Sequence, residues 1–424
     1  MRATSLVFVL ALAAAAACPA WAQTIDPNSD LGQFRGFRAA GMQALDAKDP
    51  TTALDNLNKA GTIMPDSPSV LLLKAQLDLQ QHKKADAKAA LKDYLTRGYV
   101  LDLAKNPDFN AVWDEELEDL QQGNESPVGD MHVTSALPGF VLAEGIAYAP
   151  DQDELFVSGV RTGKITALTA AGSRDVVTFR PGVAAYSLGL HNGAIWAVTN
   201  ASRQTKNYDP KAKITSKILT IDPATGAISN PISDSSKDRN FTHLLLGRDD
   251  AYVTDANSGE VLRVQNYGTA LQVLIPEGYM DSPGGMAENQ DASILMVADF
   301  VAGLYRIDLT NGSMVRLLPP GNAALLGISS LARYGNDLIA IQNGFQPNRI
   351  LRLHMSDDWS AVEKVDTLLA SPKLLAQPSQ GLVQDDHFIF IAKSQWSNMD
   401  DQGNPQSDSP EPAVIGAIKL APQN

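Results

Sequence analysis

Cysteine is almost absent from this sequence, because Cys18 is the only one in 424 residues. That residue lies in a segment we expect to be removed, which would leave no disulfide and no thiolate for catalysis or metal binding. The sequence also lacks a glycine-rich phosphate loop, a G-x-S-x-G elbow and the Cys/His spacing of a zinc site. Stability must therefore come from the size of the core, and the length is ample for more than one domain.

Basic residues are also scarce relative to acidic ones. There are 34 Lys and Arg against 48 Asp and Glu, a formal net charge of −14. Such a surface repels phosphate backbones and anionic lipid, so we expect no nucleic-acid partner. After the N-terminus there is no apolar run long enough to cross a bilayer, so we also expect no membrane span.

The first 22 residues have the pattern of an export signal. Arg2 precedes an apolar run over residues 6–17, and Ala20-Trp21-Ala22 forms a small-x-small cleavage site. We predict a signal peptide over 1–22, cleavage after Ala22, and a periplasmic or secreted mature protein. The alternative is a lipoprotein cysteine at Cys18, although Ala15 stands where a large aliphatic residue is expected.

Residues 31–122 show helical periodicity with a repeat of 34 residues. Ala53 and Leu57 recur as Ala87 and Leu91, and Phe37 recurs as Leu71. This is the period of tetratricopeptide repeats, in which a small residue lets two helices pack closely. The sequence predicts a small TPR-like helical domain, open to a protein partner, with a truncated third unit ending near residue 120. A polar linker is expected over 123–130.

From residue 131 to 424 the periodicity changes to that of β-strands. A β-rich run, a gap and a second β-rich run occur six times. Val157, Val198, Val253, Val297, Ile341 and Ile391 are equivalent, at steps of 41, 55, 44, 44 and 50 residues. A strand-only period of this length predicts a mainly β fold, a six-bladed β-propeller. The last blade lacks an outer strand, and we expect residues 131–137 to supply it by pairing with residues 414–420.

Strand direction predicts where a site would lie. In each blade the innermost strand starts on the face where the second strand ends, and we call this face of the ring the mouth. Polar residues occupy those positions: Glu144, Asn200, Asn240, His243, Asp255, Asp281, Asp299, Asn343 and Lys393. Their oxygens suit Ca²⁺ or another divalent ion such as Zn²⁺. An Asp or Asn at a strand end equally often caps backbone groups, so both interpretations stay open.

Two further residues are candidates by type. His243 follows an inner-strand start and is a candidate acid or base in the channel, the alternative being a hydrogen-bonded core histidine. Trp396 lies in a long polar insertion that opens on the mouth, where it is a candidate for stacking on a ligand. Asn200, Asn343 and Lys393 are further candidate ligand contacts at the mouth. Trp359 is expected to pack in the core.

Residues 133–420 resemble the SMP-30/gluconolactonase/LRE-like propellers. Leu142-Ala143-Glu144-Gly145 is similar to the opening Glu-Gly of that family, and Tyr252-Val253-Thr254-Asp255 is typical of its blades. The resemblance implies that the Glu144 carboxylate binds a catalytic metal and that Asn240 matches a second ligand. The chain departs from the family at Pro283-Gly284-Gly285, where Gly284 replaces an aspartate that is both ligand and base. Asp281 lies three residues earlier and is a third catalytic candidate.

Two functions are consistent with these residues. The first is an exported protein that binds a small molecule or a protein partner at the mouth, which explains the missing aspartate. The second is a divalent-metal-dependent hydrolase of lactones or related esters, with Glu144, Asn240, Asp255 and Asp299 as ligands and the metal polarising the carbonyl.

Overall fold

A computed structural model describes residues 25–206, 208–371, 373–400 and 402–422. The predicted signal peptide lies outside these residues. Within them, no helix combines the length and the apolar character that crossing a bilayer requires.

The N-terminal part of the described chain is helical. Its helices are α1 (Asp30–Asp46), α2 (Pro50–Ile63), α3 (Pro68–Gln80), α4 (Lys84–Thr96) and α5 (Glu115–Glu125), with a 3-10 turn at Pro107–Ala111. Ser29, Asp49 and Asp114 cap α1, α2 and α5 by accepting backbone N–H bonds. Ala53 and Ala87 are fully buried, as close helix packing requires. The helices confirm the predicted helical region, while its relation to tetratricopeptide repeats stays a prediction.

One boundary in this region was predicted wrongly. Helix α5 runs to Glu125, so it passes residue 120 and extends into the segment expected to be a linker. Gln121 explains the extension. Its side chain accepts the backbone N–H of Leu101, and its amide nitrogen donates to the Leu101 carbonyl and to the Glu125 carboxylate. A polar side chain used inside the fold looks the same in sequence as one exposed in a linker.

The rest of the described chain forms six four-stranded antiparallel sheets, which confirms the predicted six-bladed propeller. The strands, from the inner one outward, are: blade 1, β2 (Ala143–Ala149), β3 (Glu154–Gly159), β4 (Lys164–Thr169) and β5 (Gly172–Thr178); blade 2, β6 (Val183–His191), β7 (Ala194–Ala201), β8 (Lys217–Ile221) and β9 (Ile228–Ile232); blade 3, β10 (Phe241–Leu246), β11 (Ala251–Asp255), β12 (Val261–Val264) and β13 (Leu271–Ile275); blade 4, β14 (Pro283–Glu288), β15 (Ile294–Asp299), β16 (Gly303–Asp308) and β17 (Met314–Arg316); blade 5, β18 (Ile328–Tyr334), β19 (Asp337–Gln342), β20 (Arg349–Met355) and β21 (Val362–Ala370); blade 6, β22 (Gly381–Gln384), β23 (His387–Lys393), β24 (Ala413–Lys419) and β1 (His132–Leu137).

The ring closes as the sequence predicted. Strand β1 pairs antiparallel with β24, with His132 opposite Ala417 and Leu137 opposite Ala413. The last blade is therefore built from both ends of the propeller sequence, and the edge that β24 would otherwise expose is covered. Apolar layers between blades hold the ring together, for example Ile146 and Val157 of blade 1 against Ile391 and Ile415 of blade 6.

The helices pack on the mouth side of blades 3 to 5 through an apolar layer. Leu31, Phe34 and Met64 join the core cluster that contains Tyr252 and Tyr305. A second cluster packs helices α3 to α5 against Ala324 and Phe345 of blade 5.

Buried polar contacts fix this docking. Asp66, in the turn between α2 and α3, is fully buried, accepts the backbone N–H of Leu325 at 2.8 Å and lies 3.4 Å from the Arg316 guanidinium. Arg316 also donates to the backbone carbonyl of Ile63. The helical region and the propeller therefore share one interior.

Candidate functional site at the propeller mouth

The mouth contains a carboxyl group with an aromatic partner. Glu144, near the start of β2, accepts a hydrogen bond from the indole Nε1 of Trp396 at 2.5 Å through Oε2. Its backbone carbonyl accepts a bond from the Ser379 hydroxyl. Burial raises the pKa of Glu144 to about 7, and the indole bond opposes this only in part. A carboxyl of this kind exchanges its proton near neutral pH.

Trp396 is held in place by its neighbour Gln395. The Gln395 side chain accepts the backbone N–H groups of Val141 and Leu142 and donates to the carbonyls of Gly139 and Glu411. Three of these bonds tie the insertion over residues 394–412 to the segment that leads into β2, and the fourth stays within the insertion. The indole therefore meets Glu144 because two blades are clamped together at this point.

The Trp396 ring belongs to a small apolar cluster. Phe140, Tyr186, Trp396 and Met399 are partly buried and pack on a small core of Leu142, Val160 and Ala184. The Arg161 guanidinium lies 5.4 Å from the centroid of the Phe140 ring. The site thus has an aromatic wall beside a carboxyl.

The insertion of blade 2 meets the insertion of blade 6 next to this site. A methyl group placed on Gly403 would lie 2.7 Å from the side-chain nitrogen of Gln204. Residues of the blade 2 insertion also bond blade 1, since the Thr205 hydroxyl donates to the Val160 carbonyl. The insertions over residues 201–215 of blade 2 and 394–412 of blade 6 therefore contact each other and pack against blade 1.

Two of the predicted metal ligands are fully buried and hydrogen-bonded within their own loops. Asp255 is fully buried and pairs with Arg239 at 2.9 Å, while its other oxygen accepts the backbone N–H groups of Asn240 and Asn257. Asp299 accepts four backbone N–H bonds, from Asp281, Ser282, Val301 and Ala302. Burial raises the Asp299 pKa, the charge of Asp281 adds to this, and the N–H bonds oppose it. Both residues organise loops, which was the alternative interpretation of the sequence.

The predicted amide ligands are also engaged. Asn200 donates to the Asn240 side chain at 2.6 Å and to the Phe241 carbonyl, and it accepts from the Ser216 hydroxyl. Asn343 donates to the Pro378 carbonyl at 2.7 Å. Lys393 lies 3.6 Å from the carboxylate of Glu411. These side chains join neighbouring loops around the mouth.

The set Glu144, Asn240, Asp255 and Asp299 does not fit a Ca²⁺ or Zn²⁺ centre. In the described parts of the chain, no three His, Cys, Asp or Glu side chains come together as metal ligands do. The side-chain oxygens of Asn240, Asp255 and Asp299 already accept hydrogen bonds. The four predicted ligands therefore do not come together in the described chain, and Glu144 is the one whose carboxyl keeps an oxygen without a hydrogen bond.

Asp281 contacts the helical region. Its carboxylate forms an ion pair with Arg35 of helix α1 at 2.6 Å. Asp281 therefore serves the docking of the helices, and its role as a catalytic candidate stays a prediction. At Gly284 itself, a methyl group would lie 3.5 Å from Cε1 of His243, so the imidazole lies beside the position of the missing side chain.

His243 lies in the central channel. It lines a cavity of about 610 Å³ that extends towards Arg248, Arg333 and Gln384, on the opposite side of the ring from the mouth. Burial lowers the pKa of His243 to about 4, so the ring is neutral at pH 7, and its Nδ1 has no hydrogen-bond partner in the described chain. Glu144 does not line this cavity.

A glutamine bond crosses the channel between blades 6 and 2. Gln380 accepts from the Ser187 hydroxyl and donates to the Tyr186 carbonyl, both at 2.8 Å. Blade 1 lies between these two blades. Its residue at this position is Gly145, which has no side chain to block the bond. Sequence reasoning missed the contacts made by Gln380 and Gln395, and it missed Phe140 and Met399. Isolated glutamines and apolar loop residues carry no periodicity that could have identified them.

Comparison with known proteins finds similarity of fold. No protein-family model matches the chain, and no curated protein matches it. Among solved structures, a gluconolactonase from Xanthomonas campestris has 12% identity and a TM-score of 0.45, covering 70% of this chain and 99% of that one. Regucalcin from Agrobacterium tumefaciens, a calcium-binding protein, has 11% identity and a TM-score of 0.47, covering 68% and 94%.

A third similar structure has a different chemistry. It is the PQQ-bound form of aldose sugar dehydrogenase from Streptomyces coelicolor, with 12% identity and a TM-score of 0.46, covering 69% of this chain and 99% of that one. Function must therefore be argued from the site.

Proposed function

We propose that this chain is a propeller protein of the SMP-30/gluconolactonase type that binds a small organic molecule at its mouth and holds no divalent metal there. One observation carries the proposal, namely the Glu144 carboxyl held against Trp396 beside an aromatic wall. A few directed polar groups on an apolar surface are typical of small-molecule sites. The carboxyl supplies the polar group, and Phe140 and Tyr186 supply apolar surface.

Indole NMR tests this proposal, with an internal control in the same spectrum. Trp359 is buried, and its indole donates a hydrogen bond to the Asn336 side chain. Neither residue belongs to the mouth. Pooled small metabolites should shift the indole signal of Trp396 in the wild type and leave that of Trp359 in place. Shifts of both indoles, or of neither, would contradict binding at the mouth.

A second candidate is a hydrolase of lactones or related esters. The observation that favours it is the Glu144 pKa near 7, which suits a general acid or base. Because the described residues do not assemble a metal site, hydrolysis of glucono-1,5-lactone should not respond to a chelator. Turnover that stops with a chelator would support the metal-dependent alternative, and turnover lost only in Glu144→Gln would support acid–base catalysis.

We also propose export of the chain, with removal of residues 1–22. The support is the sequence pattern of Arg2, the apolar run and Ala20-Trp21-Ala22. N-terminal sequencing of the periplasmic or secreted protein should begin at Gln23. A start at Cys18 with a lipid attached would favour the lipoprotein alternative. The helical repeats remain our proposed site for a protein partner.

A further inference from the structure

The carboxyl of Glu144 has no cationic partner in the described chain. No Lys, Arg or His nitrogen there pairs with it, and Trp396 is its only side-chain hydrogen-bond donor. The nearby cations have other contacts, since Lys393 faces Glu411 and Arg161 bonds the Gln204 carbonyl. A carboxylate in such surroundings gains most from a ligand that brings a positive charge.

The second oxygen of Glu144 is available for that ligand. Oε2 accepts the indole bond. Oε1 accepts no hydrogen bond in the described chain, and it is not completely buried. Oε1 is therefore the acceptor of this carboxyl that the indole bond leaves unpaired. The indole bond orients the carboxyl and leaves one acceptor directed at an incoming donor.

The surrounding side chains favour an organic cation over a metal ion. A divalent metal needs several hard oxygen ligands, and among the described residues no three His, Cys, Asp or Glu side chains gather as such ligands would. The wall instead contains the aromatic faces of Phe140, Tyr186 and Trp396, with the thioether of Met399. Aromatic faces attract alkylated ammonium groups, whose charge is spread over C–H groups. The net charge of −14 also raises the local concentration of cations.

We propose that the ligand of the mouth is a small organic ammonium compound, whose charged nitrogen lies at Glu144 Oε1 and whose alkyl groups pack on Trp396, Tyr186 and Phe140. This inference rests on the proposed function and names the class of molecule for the same site. The single negative charge of the Glu144 carboxylate balances the single positive charge of an ammonium group. A site with four metal ligands would not match a single charge in this way.

Calorimetry with a matched pair of probes tests the charge. Choline chloride and 3,3-dimethylbutan-1-ol have the same shape, but only choline is charged. We expect choline to bind the wild type at least about tenfold more tightly than the neutral alcohol, because only its positive charge is attracted by the Glu144 carboxylate and by the aromatic faces. Calcium chloride should give no heat at this site.

Two variants locate the binding. Glu144→Gln keeps the shape and the acceptor for Trp396 but removes the charge, and it should lower choline affinity at least about tenfold. Glu411→Gln removes an exposed carboxylate of the same insertion and should leave the affinity unchanged. Circular dichroism confirms that each variant is folded.

The outcomes separate this inference from the proposed function. Equal affinity for choline and the alcohol, both reduced in Trp396→Phe, would overturn the ammonium inference and leave small-molecule binding at the mouth intact. Equal loss in Glu144→Gln and Glu411→Gln would overturn it too, because the effect would be one of general charge. Absence of binding by choline and by every related quaternary or primary ammonium tested overturns the inference, while the indole NMR test judges the function independently.

Discussion

Glu144 is the residue on which the account of the site depends. Its position near the start of β2 followed from strand direction and from the Glu-Gly motif, so the sequence located it. Its surroundings did not follow, because the Trp396 contact depends on the Gln395 clamp between two blades. The sequence therefore identified the carboxyl and misjudged its neighbours.

The first prediction concerns the pH dependence of stability at Glu144. Its pKa is raised from 4.5 to about 7 in the folded protein. Between these values the folded state keeps a proton that the unfolded chain has lost, so the free energy of unfolding falls as the pH rises through this window. At pH values above this window the loss of unfolding free energy is constant, and at pH values below it there is no loss.

Glu144→Gln should remove that pH-dependent loss, because glutamine does not ionise. Compared with the wild type, the variant should gain up to about 3 kcal/mol in going from about pH 5 to about pH 8. Urea unfolding at both pH values measures the difference. Parallel stability profiles would show that the carboxyl is ordinarily solvated.

Asp255 and Asp299 show why sequence alone misassigned the metal ligands. Both end a second strand at the mouth, as predicted, but a strand end also needs acceptors for the N–H groups of the following loop. Asp299 meets four such groups, and Asp255 meets two and an arginine. The distinction depends on loop conformation, which an Asp at a strand end does not encode.

Tyr99 illustrates a departure from a pattern that the structure explains. The helical repeat has Tyr99 where a proline is usual. Its hydroxyl donates to the Asp66 carbonyl at 2.7 Å, and its ring meets Phe345 of blade 5 with centroids 4.9 Å apart. The residue serves the contact between helices and propeller, which a repeat pattern cannot reveal.

At the scale of elements, the turn between α2 and α3 is the main polar attachment of the helices. In the sequence, Asp66 precedes Ser67-Pro68 and looks like an ordinary turn residue. In the structure it is buried and bonds Leu325 and Arg316 across the interface. Long-range partners of this kind, separated by some 250 residues, have no local signature.

Asp66→Ala should therefore destabilise the protein strongly. It leaves the buried Arg316 guanidinium without its carboxylate, which costs about 3–5 kcal/mol in comparable pairs. Asp55→Ala is the matched control, because Asp55 forms an exposed pair with Lys59 and should cost at most about 1 kcal/mol. Chemical denaturation compares the two variants, and similar small losses in both would contradict the assigned attachment.

At the scale of the whole molecule, the sequence was most informative. Six repeats and a blade without an outer strand predicted both the ring and its closure by residues 131–137, and the strand pairing confirms them. Periodicity is repeated many times along a chain, so it survives local exceptions. A site is formed once, from loops, and one clamp or one turned carboxylate changes it.

Ring closure offers a direct engineering test. Ala136 lies opposite Val414 in the β1–β24 pair, within the distance range of a disulfide. If the leader with Cys18 is removed, Ala136→Cys with Val414→Cys introduces the only two cysteines. The oxidised double variant should be more stable than its reduced form by about 2–4 kcal/mol. Failure of the disulfide to form, or an unchanged melting temperature after oxidation, would contradict the closure.

The most direct test of the central claim is the pH titration of the Trp396 indole signal by NMR. The claim is that Trp396 bonds a Glu144 carboxyl that has no counter-ion. The account predicts a single transition of the indole N–H shift centred near pH 7, absent in Glu144→Gln and absent from the Trp359 signal. A Trp396 signal that does not change with pH near neutrality, or a transition that persists in Glu144→Gln, would contradict it.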